Sequence, residues 1–115
     1  MDKNFLLDEN LTMAFKFNEF CRNNAKYKRI QDKIQEISRK QGLILNLLQL
    51  LNVYSVDKEF YQQADKLNEK QKLMAYDLRE QHLKYGAEAS NLSNKMITIR
   101  DKLSTKFVKL VMSNF

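Results

Sequence analysis

The sequence predicts an all-α fold, a long antiparallel helical hairpin of the coiled-coil kind. Three observations carry that prediction. The 115 residues contain no proline and only two glycines, Gly42 and Gly86, so little in the chain breaks or weakens a helix. Apolar residues recur in alternating steps of four and three at Ile30, Ile34, Ile37, then Gln41, Ile44, Leu48 and Leu51, the spacing of a helix packed lengthwise on another. A second seam of the same kind comes after a single cluster of turn residues.

Residues 1–10 read as an arm, with Phe5, Leu6 and Leu7 as its apolar hold and Asp8 or Asn10 as the cap of the first helix. That helix is expected over about residues 10–54. Its early part, with Phe15 and Phe17 on different faces, is interrupted by Lys16, Asn23 and Asn24 and should pack less well than residues 30–51. Gly42 leaves the phase of the seam unchanged, so the helix should run through it. Beyond it the run Leu43-Ile44-Leu45-Asn46-Leu47-Leu48-Gln49-Leu50-Leu51 is the most apolar in the chain. At 100° per residue, Leu43, Leu47 and Leu50 form a second face beside the seam. The densest core or a docking site for a partner is expected here.

Asn52-Val53-Tyr54-Ser55-Val56-Asp57 is the best turn signal, placing the main turn at 52–57, with Ser55 or Asp57 as the next helix cap. The second helix, about 57–112, carries the seam Phe60, Ala64, Leu67, Gln71, Met74, Leu78, His82, Tyr85, Ala89, Leu92, Met96, Ile99, Leu103, Phe107, Leu110. The two successive fours at Met74-Leu78-His82 make a stutter. A break near Gly86 would turn the hairpin into a three-helix bundle; one glycine rarely ends a helix alone, so the continuous form is expected. In either form the chain reads as one helical domain, 1–115. Folding about residue 56 brings the basic tail (Lys95, Arg100, Lys102, Lys106, Lys109) beside Asp2, Asp8 and Glu9, an exposed pairing that hints at register and is worth little energy.

The residues argue against chemistry. His82 is the only histidine and Cys21 the only cysteine, so neither a His-based metal cluster nor an intrachain disulfide can form. The hairpin register places His82 opposite residue 30, leaving Cys21 without a base. Two glycines 44 positions apart make no phosphate loop, and Asp77 and Glu80 fall on an outer face. No enzyme activity, cofactor, metal or small-molecule substrate is expected. The acidic start has no signal-peptide pattern, and the nine-residue apolar run is far short of the roughly 20 residues that span a bilayer. An intracellular, cytoplasmic protein is the expectation.

The net charge is +6. Within residues 22–40, Arg22, Lys26, Lys28, Arg29, Lys33, Arg39 and Lys40 face only Asp32 and Glu36. A solvated helix face is the plainer account. The functional alternative makes Arg22, Lys26, Arg29 and Lys33 candidate anion-binding residues toward nucleic acid or an anionic membrane surface. No DNA-reading module is recognisable. What remains is binding by helix packing. Two helices in a hairpin shelter only their facing seams, so Leu43, Leu47, Leu50, Phe15, Phe17, Val108, Val111 and Phe115 are the candidate partner-binding residues. The expectation is a coiled-coil subunit or adaptor of a larger assembly, homo- or hetero-oligomeric. A basic binder of nucleic acid or membrane is the first alternative, and a helical accessory subunit of an organelle or phage machine the second.

Overall fold

The break that organises the first half is a pair of asparagines. The computed structural model describes the backbone of residues 3–113 and the side chains of residues 11–113. Helix α1 runs Lys3–Arg22 and helix α2 Ala25–Leu50, so the single helix expected over 10–54 is two. The Asn23 amide closes the last turn of α1 on the Glu19 carbonyl at 3.0 Å. Asn24 then caps α2, its Oδ1 accepting the Tyr27 amide at 3.0 Å. Asparagine is poor inside a helix and among the best residues before one, and two in succession favour the stop and restart. The segment expected as an arm is helical from Lys3, so neither Asp8 nor Asn10 caps the first helix; the other proposed roles of Phe5, Leu6, Leu7, Asp8 and Glu9 concern side chains outside the described residues, as does that of Asp2.

Helix α2 stops in a Schellman arrangement. Asn52 takes the left-handed conformation at φ 62°. The Val53 amide reaches back to the Leu48 carbonyl at 2.9 Å, and the Asn52 amide to the Gln49 carbonyl at 2.9 Å. Asparagine is the residue other than glycine that most readily takes this role. Val53 itself is buried with Leu48, so the stop is also an apolar contact.

The second helix does not begin near 57. A connection from residue 51 to 68 contains a short helix, α3, Phe60–Ala64, and α4 then runs Glu69–Met112. Neither Ser55 nor Asp57 caps a helix as expected: Ser55 Oγ accepts the Asp57 amide at 3.2 Å within the connection, and α3 starts after Glu59 with no side-chain cap. Gln63 Oε1 ties the connection down by accepting the amides of Tyr54 at 2.6 Å and Ser55 at 3.3 Å. The cap of the long helix is Asn68, whose Oδ1 accepts the Gln71 amide at 2.9 Å. Helix α4 continues through Gly86 without a break, so the alternative of a bundle made by a break there does not occur. The protein is all-α; no strand occurs among the described residues.

The chain divides into two compact units, Met1–Asp32 with Leu92–Phe115, and Lys33–Asn91. In the second, α2 and α4 pack antiparallel: Ile44 and Leu48 share a buried cluster with Val53, Phe60, Ala64, Ala75 and Leu78. Phe60 is fully buried, with Tyr61 and Tyr76 set edge-on at 5.5 and 5.3 Å. Gln41, the polar member of the seam, donates from Nε2 to the His82 carbonyl at 3.3 Å. The stretch 43–51 therefore does contribute core, through Ile44 and Leu48. The expected seam slips at the start of α4: Met74 is exposed and Ala75 buried, because α4 takes its phase from a start at Asn68 rather than from the preceding segment.

In the first unit, Cys21, Tyr27 and Leu103 are buried, and Phe17, Phe20, Met96 and Ile99 pack around them. Phe107 closes the cluster, its ring 5.4 Å from Phe17 and 5.6 Å from Phe20. Toward the end of α4 the inward residue is Val111; Leu110, expected in the seam, is more than half exposed.

Candidate functional site

Helix α2 turns two faces outward from its last three turns. Ile44 and Leu48 go into the core, and the residues beside them do not. Leu43 is 49 %, Leu47 41 % and Leu50 80 % exposed. At about 100° per residue the three lie within about 60° of one another, roughly 120° from the buried seam. Leu45 is also exposed, on the opposite flank, and Tyr54 lies open just past the helix end. This is a stripe of leucines about 10 Å long at 1.5 Å per residue, in water. Upstream on the same side the stripe gives way to Glu36, Arg39 and Lys40. Arg39 pairs with Glu36 at 2.6 Å, and the Lys40 ammonium sits 5.6 Å from the centre of the Tyr85 ring.

The other candidate contact residues divide. Phe15 and Val108 are exposed, at 68 % and 54 %. Phe17 is engaged in the core of its own unit, against Phe107 and beneath Arg100, whose guanidinium lies 5.5 Å from the ring centre. Val111 lines a small apolar groove with Met13, Phe107, Val108 and Met112. Phe115 lies outside the described residues. The candidate anion-binding side chains Arg22, Lys26, Arg29 and Lys33 are all exposed or partly so, and Arg29 Nε donates to the Ala25 carbonyl at 3.4 Å.

Sequence reasoning missed Arg79. Its Nε donates to the Val56 carbonyl at 2.9 Å, and its guanidinium stacks 5.2 Å from the ring centres of both Phe60 and Tyr61. It fastens the connection to α4 and forms the back of an open concavity of about 930 Å³ with Tyr54, Asp57, Lys58, Glu59 and Tyr61. Only the long reach from residue 79 to residue 56 creates this contact, and nothing in the local sequence marks it.

Cys21 and His82 fall in different units. Burial pushes the Cys21 thiol above its ordinary pKa, and the Arg100 charge offsets part of that rise, so its thiolate is disfavoured. His82 Nδ1 is buried with no hydrogen-bond partner among the described residues.

The fold and this surface define an all-α helical protein with a partly unsheltered apolar stripe. No family model matches the chain, and neither a curated protein nor a solved structure does. No described helix is long and apolar enough to cross a membrane.

Proposed function

We propose that this protein is a non-enzymatic helical adaptor or subunit that holds a partner protein by helix packing in a larger assembly. The observation that carries the reading is the exposed stripe Leu43, Leu47, Leu50 on α2. Each of these side chains fully buried in a partner gains about 1.5–3 kcal/mol, and a large leucine stripe left in water favours association. The stripe lies beside a core that is already filled, so its burial requires no rearrangement of Ile44 or Leu48. Exposed Phe15 and Val108 offer further apolar contact on the other unit.

Sedimentation velocity of the isolated chain and of Leu47→Glu tests the reading. The expected result is concentration-dependent self-association, or stable association with a co-expressed partner, lost in Leu47→Glu while helicity is kept. A monomer at high micromolar concentration that binds nothing through the stripe, and behaves identically with the charge in place, overturns it.

A further inference from the structure

The two compact units differ sharply in charge. Lys33–Asn91 contains nine basic and eight acidic residues, a net of +1. The other unit contains eleven basic and six acidic residues, a net of +5. Three of those six acids, Asp2, Asp8 and Glu9, precede the described side chains; over residues 11–32 and 92–113 there are ten basic residues against three acidic, a net of +7. The ion pairs divide in the same way. Arg39–Glu36, Lys72–Asp65 and Lys84–Glu80 all lie in the near-neutral unit. Among the described residues, none of the ten basic side chains of the other unit has a carboxylate within 4 Å.

These charges are also sorted by face. On α4, Lys95, Lys102, Lys106 and Lys109 succeed one another in steps of seven, four and three, which keeps them within about 60° on the helix surface. They flank the inward row Met96, Ile99, Leu103 and Phe107 on one side. On α2, Lys26 and Arg29 flank Tyr27 and Ile30, and on α1 Lys16 flanks Phe17 and Phe20, each by a rotation in the same sense. The partners on α4 rise from His82 through Met96 and Leu103 to Phe107 as the opposing residues fall from Gln41 through Tyr27 to Phe20 and Phe17, so α1 and the start of α2 run antiparallel to α4. A rotation of the same sense on two antiparallel, packed helices falls on the same side of the pair. Arg100 agrees with this geometry, since it is rotated the other way and lies over Phe17 on the opposite flank. The acids Glu19, Asp32 and Asp101 occupy the outermost sides of their helices, farthest from the packing seam. Among the described residues, the result is one face with seven cations drawn from three helices and no carboxylate among them.

We infer that this face binds the sugar–phosphate backbone of a double-helical nucleic acid without reading its sequence. Three features favour that occupant. The α4 lysines span 14 steps, about 21 Å at 1.5 Å per residue, and duplex DNA presents a negative charge about every 1.7 Å along its axis. Among the described residues the lysine row of α4 has no exposed aromatic ring beside it, and the exposed ring of Phe15 lies on the outer side of α1, so the face lacks the stacking platform on which single strands are held. Ile97 and Val108 are exposed on the opposite flank of α4, and the exposed Leu110 and Met112 border the lysines only in the last turns of the helix. An amphipathic helix lying in a membrane surface needs a continuous apolar side along its basic residues, and beside Lys95 and Lys102 no described apolar residue is exposed. The cationic face is separate from the leucine stripe, and Leu47→Glu should leave its binding unchanged.

Fluorescence anisotropy with a 30-base-pair DNA duplex of arbitrary sequence tests it, with a single strand of the same length and vesicles containing 30 % phosphatidylserine as comparison probes. About five phosphate contacts predict a slope near −4.5 in log K against log salt, a loss of about 500-fold between 50 and 200 mM. Lys102→Glu/Lys106→Glu should weaken duplex binding at least tenfold and flatten the slope by about 2. Lys102→Arg/Lys106→Arg should bind like the parent. Lys28→Glu/Arg100→Glu makes the same charge change on the other side of the helices and should cost under threefold. Circular dichroism shows that each variant is folded. No duplex binding at 50 mM salt, equal losses in the two reversed pairs, or tighter binding to vesicles or to the single strand each overturns the proposal.

Discussion

Replacing Leu48 by alanine tests whether the end of α2 is the structural centre of its unit. Leu48 is 1 % exposed and packs among Ile44, Val53, Phe60 and Leu78. The change removes three carbons, worth about 2.4 kcal/mol at about 0.8 kcal/mol per buried methylene. The neighbours cannot close the space freely, because Val53 is held by the bond from its own amide to the Leu48 carbonyl and Phe60 is fixed between Tyr61 and Tyr76. A residual cavity therefore adds to the cost, and the total should fall within the usual range of about 2–5 kcal/mol for a core leucine. Two residues away, Leu50 is 80 % exposed, and Leu50→Ala in the monomer should stay within about 0.5 kcal/mol. Urea unfolding monitored by far-ultraviolet circular dichroism measures both. Equal midpoints for the two variants would refute the assignment of Leu48 to the core and Leu50 to the surface.

Asn24→Ala should cost about 0.5–2 kcal/mol by removing the bond that Tyr27 makes to the cap; thermal unfolding checks it, and an unchanged midpoint excludes the cap as the cause of the break. Gly42→Ala should stabilise by up to about 1 kcal/mol, because a Cβ there meets nothing within 4 Å and the helix gains propensity, and a lowered midpoint would show that Gly42 needs its freedom. The Cys21 thiol, held above its ordinary pKa by burial, should react with iodoacetamide far more slowly in the folded chain than in urea at the same pH. Because the folded form keeps the proton more tightly, stability should fall as pH rises past the ordinary thiol pKa, and Cys21→Ser should lessen that fall. Reversing Lys26 and Arg29 to glutamate should leave helicity and midpoint nearly unchanged, since both side chains are exposed and make no ion pair with a described residue.

The seam from Ile30 to Leu51 was legible because four-three spacing reports a lengthwise contact whatever the partner. Ile37, Ile44 and Leu48 are buried as that spacing requires. The exposed second face at Leu43, Leu47 and Leu50 was legible for the same reason. The break at Asn23-Asn24 was visible only as an interruption, because helix periodicity on both sides masked the capping chemistry of Asn24. The late start of α4 was hidden differently. Phe60, Ala64 and Leu67 fall at helical spacing and are indeed inward-facing, but they belong to a separate short helix and the turn after it. The signal that marks the true start, Asn68 just before Glu69, was outweighed by Ser55 and Asp57. The lysine steps on α4 could be counted in the sequence. Their union with Lys26 and Arg29 could not, since it depends on which flank of α4 those residues share.

The Schellman stop at Asn52 has a consequence for the order in which the chain acquires its structure. Leu48, Val53, Phe60 and Ala64 lie within 17 positions of one another, and Ala75 and Leu78 complete their cluster a short way on. The loops that bring these residues together are brief, and the left-handed turn reverses the chain locally. By contrast, Phe17 meets Phe107 across 90 positions, a contact whose closure entropy is large while the intervening chain is unstructured. The segment around Asn52 should therefore form first and draw the distant ends together afterwards. In stopped-flow refolding, Phe60→Leu should slow the folding rate, and Phe107→Leu should leave that rate nearly unchanged and accelerate unfolding.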